Sequence, residues 1–149
     1  NGRQELQVIG YVDSSVLLRF LLKNERTLEK ALEFDAVGSS ELIRIECQRV
    51  LYRYRLEGLI DDSSLHRLRE HLDDVLDGFS IMELTDTVKK KASDAFPTVI
   101  GTLDALHLSS AILWQEQVQD EIVLLTFDRQ MAICAGTLGI HTYPAEEAL

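Results

Sequence analysis

Apolar residues along this chain fall into short β-branched runs separated by longer stretches with helical spacing. The first run, Val8-Ile9-Gly10-Tyr11-Val12, reads as a buried strand. The step through Asp13-Ser14-Ser15 into Val16-Leu17-Leu18 reads as the start of a helix over residues 15–22. Beyond it the pattern predicts a short helix over 24–33, a second strand over 36–39, and a long helix over 41–57, capped by Ser39 or Ser40 and ended by Gly58. Asp61-Asp62-Ser63-Ser64 caps a helix over 65–76, Gly78 breaks it, and residues 79–84 form a third strand. Helical spacing returns over 85–95, stops at Phe96-Pro97, and resumes after Thr102 as far as Gln117. Ile122-Val123-Leu124-Leu125-Thr126-Phe127 is a strand, residues 129–138 a last helix, and residues 140–143 a last short strand.

Strands alternating with helices predict an α/β fold: a single domain whose mostly parallel central sheet is flanked by helices. With 149 residues the chain is long enough to bury a core without disulfides or a structural metal. The domain is expected over residues 8–149. Asn1 to Gln7 is polar and patternless, and is expected to be disordered or a processing remnant. No window approaches the roughly 20 apolar residues that span a bilayer, so no membrane role is expected. Cys47 and Cys134 sit in apolar helical patterns and are expected to be buried small hydrophobes in a reducing, cytoplasmic setting.

Charge changes the picture. The formal net charge is −10, from 25 acids against 15 bases, the wrong sign for holding nucleic acid by a broad basic face. Contact with a polyanion must then be local or metal-assisted. Asp13 and Asp128 each follow a strand, which puts both at the carboxyl edge of the sheet, where open α/β sheets bind ligands. Singly, each could be a helix cap, and Asp104, in the first turn after Thr102, could complement a helix dipole.

Glu46 resists that reading, because it lies inside a helix and within the apolar stripe of Leu42, Ile43, Val50 and Tyr54. A buried carboxylate requires a partner, so Arg49, Arg53 or a cation must neutralise it. Asp104 likewise projects between Leu108 and Ala111 on a helix that is apolar nearly all round. Four such acids would repel one another, and hard oxygen donors of this kind suit Mg²⁺ or Mn²⁺, ions that activate water for attack on phosphodiesters.

Tyr11-Val12-Asp13-Ser14-Ser15, Ser40-Glu41-Leu42 leading to Glu46 and Arg49, Thr102-Leu103-Asp104-Ala105-Leu106-His107-Leu108, and Leu125-Thr126-Phe127-Asp128-Arg129 resemble, in order, the motifs of PIN-domain ribonucleases. The likeness is greatest to VapC-type toxins of toxin–antitoxin pairs and covers residues 8–143. It implies that Asp13, Glu46, Asp104 and Asp128 form a metal-binding catalytic quartet. It also implies cleavage of RNA to leave a 5′-phosphate and a 3′-hydroxyl, homodimerisation, and inhibition by an antitoxin protein. Ile100-Gly101 stands where many relatives carry a basic residue before the Thr-Leu-Asp motif, a departure that bears on substrate contacts.

Ser14, Arg49 and Thr126 are candidates for contacting substrate or orienting the acids. Lys89-Lys90-Lys91 reads as a solvated helix face that could also meet phosphate, and Tyr52, Tyr54 and Trp114 read as core or dimer contacts. His66, His71, His107 and His141 share no ligand spacing, and His107 is expected to be a core histidine satisfied by backbone. Two rival functions are a catalytically silent PIN-like protein-binding module and a phosphoacceptor domain using Asp13 or Asp128. The presence of four acids counts against the first, and the lack of a lysine at a neighbouring strand end against the second.

Overall fold

The computed structural model describes residues 7–144; residues 1–6 of the polar leading segment, and residues 145–149, lie outside the described residues. Five strands, β1 (Val8–Val12), β2 (Ala36–Ser40), β3 (Ser80–Met82), β4 (Glu121–Leu125) and β5 (His141–Tyr143), form one sheet in the order β3-β2-β1-β4-β5. Every pairing is parallel, as the alternation of strands and helices predicts. The helices are α1 (Ser14–Lys23), α2 (Leu42–Leu56), α3 (Asp62–Asp77), α4 (Asp86–Ala92), α5 (Thr102–Val118) and α6 (Arg129–Thr137), with a 3-10 segment over Arg26–Glu33.

The apolar runs make the central strands β1 and β4 because both faces of a parallel sheet are covered there and most of their side chains are buried whichever way they point. Successive residues of β1 feed opposite faces. Val12 joins Val16, Leu17, Ile43, Cys47, Leu51 and Leu72 under α1, α2 and α3. Tyr11 joins Leu108, Ala111, Leu124, Met131 and Cys134 under α5 and α6. Each fully buried leucine, such as Leu17 or Leu108, contributes about 1.5–3 kcal/mol of burial. At Gly38 any Cβ would run into the Ser80 carbonyl and the Trp114 ring, so only glycine lets β2 lie against β3 and α5 together.

Several boundaries differ from the sequence expectation. The predicted helix over 24–33 is a 3-10 segment: Asn24 adopts a left-handed conformation that closes α1, and the Glu25 carboxylate caps the new segment by accepting from Thr27 N–H. Ser39 and Ser40 belong to β2 rather than capping α2, because Ser39 donates to the Val12 carbonyl and Ser40 N–H donates to the Tyr11 hydroxyl. Ser40 Oγ still accepts from Leu42 N–H at 3.2 Å, a cap-like bond made from the strand end. Gly101, not Thr102, is the cap of α5, and Asp61 starts α3 earlier than the apolar spacing indicates. Thr85 caps a shorter α4, β3 is cut to three residues, and β4 stops before Thr126. Cys47 and Cys134 are buried free thiols, as expected, and no described helix is long and apolar enough to cross a membrane.

Candidate active site

The connection from β1 leads towards β2 and that from β4 leads towards β5, so the chain leaves these two adjacent strands in opposite directions. A crevice opens at such a switch point, outside the carboxyl ends of the strands. Asp13 directly follows β1 and Asp128 lies three residues beyond the end of β4, which puts both acids at that crevice.

Asp13 is the hub of the edge. Its side chain is buried and accepts from Ser15 Oγ at 2.6 Å, from Val16 N–H at 3.3 Å, and from the Thr126 hydroxyl. Ser15 Oγ in turn accepts from Phe127 N–H at 2.9 Å, and Thr126 Oγ1 accepts from Asp128 N–H at 2.9 Å. Two hydroxyls therefore stitch the β1–α1 loop to the β4–α6 loop. Asp13 and Asp128 are also helix caps, Asp128 accepting from Met131 N–H, so the bland sequence reading holds for both alongside the shared edge. Burial pushes the Asp13 carboxyl above its usual range, against the pull of Ser15, Thr126 and the neighbouring His107.

Glu46 is part-buried on α2, but neither Arg49 nor Arg53, one and two turns further along the same helix, pairs with it; both are exposed. Its partner is His107, whose Nε2 lies 2.5 Å from Glu46 Oε1, while Ser14 Oγ donates to Oε2 at 3.3 Å. His107 is thus buried, yet satisfied by side chains rather than by backbone: its Nδ1 lies 2.8 Å from the Tyr11 hydroxyl. Burial pushes the Tyr11 hydroxyl well above its ordinary value, so it stays protonated and available as a donor. Sequence reasoning passed over Tyr11 and Ser15, although both stand inside the first quoted motif, and set His107 aside.

Asp104 lies in the first turn of α5, half-buried, and among the described residues no hydrogen bond holds its carboxylate. Its carboxyl is raised to about 6, first by desolvation, then by the charges of Asp128, Asp13 and Glu46. That influence puts Asp128, Asp13 and Glu46 each within electrostatic reach of Asp104. Among the described residues, however, no three His, Cys, Asp or Glu side chains converge closely enough to share an ion in this arrangement. The donor chemistry itself suits a hard divalent cation: four carboxylates, with burial opposing ionisation of Asp13 and both burial and neighbouring acids opposing that of Asp104.

The remaining candidates separate. Ser14 and Thr126 touch the acids directly, as described, whereas Arg49 is exposed on α2, away from any described carboxylate partner. Lys89 and Lys90 are solvated on α4, as expected. Trp114 packs edge-on to Tyr11, while Tyr52 is exposed with Arg69 over its ring.

A family model described as PIN domain matches residues 10–136. Over 140 residues the chain is 27% identical to ribonuclease VapC47 of Mycobacterium tuberculosis (strain CDC 1551 / Oshkosh), covering 89% of this chain and 93% of that protein. In fold it is similar to VapBC2 from Rickettsia felis bound to a DNA fragment from their promoter, with TM-score 0.61 and 14% identity over 90% of this chain and 96% of that one. It is similar also to a toxin–antitoxin complex from Klebsiella pneumoniae, with TM-score 0.61 and 18% identity over 88% of this chain and 94% of that one. At these structural identities the likeness is one of fold.

Proposed function

The chain belongs to the PIN-domain family, and from that premise we propose that it is a divalent-metal-dependent endoribonuclease, the toxin of a toxin–antitoxin pair. The observation that carries the reading is that the charges of Asp128, Asp13 and Glu46 each raise the cost of ionising Asp104, beside the switch-point crevice. These four would hold Mg²⁺ or Mn²⁺. Bound there, such an ion would lower the pKa of an attacking water and stabilise the leaving oxygen of an RNA phosphodiester, leaving a 5′-phosphate and a 3′-hydroxyl.

The chain's own residues prepare that edge. Ser15 and Thr126 fix Asp13, Thr126 also fixes the backbone entering Asp128, and Ser14 with His107 fixes Glu46. Arg49 is the candidate for substrate phosphate, since the net charge of −10 leaves RNA attraction to local cations and the ion.

The named relatives favour an antitoxin partner and a cytoplasmic setting. A groove of about 350 Å³ lined by Ile43, Ile45, Leu76 and Ile81, with Glu41 and Arg44 beside them, offers apolar surface for the antitoxin or for a second copy in a homodimer. The domain is taken as residues 8–149. The second reading, a silent PIN-like binding module, is favoured by the failure of three acids to converge. The deciding experiment incubates purified, antitoxin-free protein with total cellular RNA in Mn²⁺ or Mg²⁺ and in EDTA. New 5′-phosphate ends that vanish in EDTA support the nuclease. Absence of both cleavage and Mn²⁺ binding supports the silent module, and cleavage unchanged in EDTA removes the metal from the mechanism.

A further inference from the structure

His107 is a buried polar ring whose two nitrogens are both spent on side chains. As packing alone it is a poor choice, since a leucine would fill the same space without burying polar atoms. The direction of its bonds follows from the two ends of the chain of contacts. Ser40 N–H can only donate, and it donates to the Tyr11 oxygen at 3.2 Å. The Glu46 carboxylate can only accept, so Nε2 carries the proton of the neutral ring and donates to Oε1, which leaves Nδ1 to accept the Tyr11 proton from 2.8 Å away. The relay crosses the sheet edge from β2 through β1 and α5 to α2. Tyr11 thus fixes the tautomer of His107, and His107 fixes one oxygen of Glu46. With Ser14 on the other oxygen, two of the roughly four lone-pair sites of the carboxylate remain for a cation.

We propose that His107, locked in its Nε2–H tautomer by Tyr11, is a positioning residue that presents Glu46 to a divalent cation and thereby helps set the affinity of the acidic edge for it; this rests on the metal-dependent reading above. Groups that orient a metal ligand through a hydrogen bond change metal affinity by about 10–100-fold when lost. A merely structural His107 would alter the melting temperature in EDTA and leave the Mn²⁺ affinity of the folded protein untouched.

The test is titration of the purified full chain with Mn²⁺ alone, followed by calorimetry, for wild type, His107→Leu, His107→Gln, Tyr11→Phe and Glu46→Gln. Expected are an Mn²⁺ Kd raised about 10–100-fold in His107→Leu, a smaller rise in Tyr11→Phe, and recovery in His107→Gln, whose amide N–H still donates to Glu46. Glu46→Gln tests the underlying reading: wild-type Mn²⁺ affinity in that variant takes Glu46 out of the metal site and the proposal with it. Loss of affinity in Glu46→Gln with wild-type affinity in His107→Leu overturns the positioning role alone. If His107→Leu gives no cooperative melt in EDTA, Tyr11→Phe decides, and an unchanged Kd there overturns the proposal.

Discussion

The Thr126 hydroxyl donates to Oδ2 of Asp13 across 113 residues of chain, and Thr126 Oγ1 itself accepts the N–H of Asp128. One side chain therefore governs the relation between the two acids that flank the crevice. Thr126→Val keeps the shape and strips both bonds from a fully buried position. A loss of about 1–3 kcal/mol in chemical denaturation in EDTA is expected, with Thr126→Ser recovering most of it. A neutral Thr126→Val would mean that Asp13 finds another donor.

Asp104 gives a pH dependence of definite sign. Its carboxyl is raised from 3.8 to about 6, so the folded chain holds its proton over a range where the unfolded chain has lost it. That contribution to stability is complete below the unfolded value and is lost as pH rises through about 6. Asp61 and Asp62, lowered by Ser64 N–H and by Arg55 respectively, act with the opposite sign at lower pH. The difference between wild type and Asp104→Asn isolates the effect. In EDTA the variant should gain on wild type between about pH 4 and pH 6. A constant difference across that window would detach Asp104 from the charge cluster.

Above that window, Asp104→Asn should melt in EDTA at or above the wild-type temperature, because one of several like charges is gone. It should also gain less from Mg²⁺. If Asp104 served only the helix dipole, the variant would instead lose about 0.3–1 kcal/mol in EDTA and respond to Mg²⁺ as wild type does.

Glu46→Gln separates charge from hydrogen bonding. The glutamine carbonyl can still accept from His107, so the variant should lose no more than about 1.5 kcal/mol in EDTA. A cost of 3–5 kcal/mol would point to a stranded partner charge. Wild type at a hundredfold excess of Mn²⁺ over its Kd should gain about 2.7 kcal/mol, and most of that gain should be missing from Glu46→Gln.

Arg49→Ala addresses substrate rather than metal. The residue is exposed and its loss should leave Mn²⁺ affinity and melting unchanged. RNA binding should weaken, with the slope of log K against log salt shallower by about 0.7 for one lost single-strand phosphate contact. An unaltered salt slope would send the search for phosphate contacts to the lysines of α4.

Much of the fold was legible because its signals are local. Ile122-Val123-Leu124-Leu125 is apolar whichever face it meets, and an acid after each of two such runs marks one edge of a parallel sheet. The helical spacing around Glu46 likewise marked an acid that no cap explains. What was missed depends on residues far apart in sequence. Glu46 and His107 are 61 positions apart, so nothing near Glu46 suggested a partner better than Arg49 or Arg53. Ser39 and Ser40 carry cap chemistry, yet bonds to Val12 and Tyr11 draw them into the strand. Thr126, a candidate for orienting the acids, bonds the Asp128 N–H as its position suggests, but its second partner, Asp13, lies 113 positions away.

The central place of β1 has a consequence for the growing chain on the ribosome. Asp13 directly follows it, but the strand that must lie beside β1 and the hydroxyl that must hold Asp13 are made more than a hundred residues later. At about 5–20 residues per second, several seconds separate the two. Until β4 inserts beside β1 the crevice does not exist, and Asp13 lacks its Thr126 contact. A ribosome making this chain thus adds more than a hundred residues after Asp13 before the crevice can form.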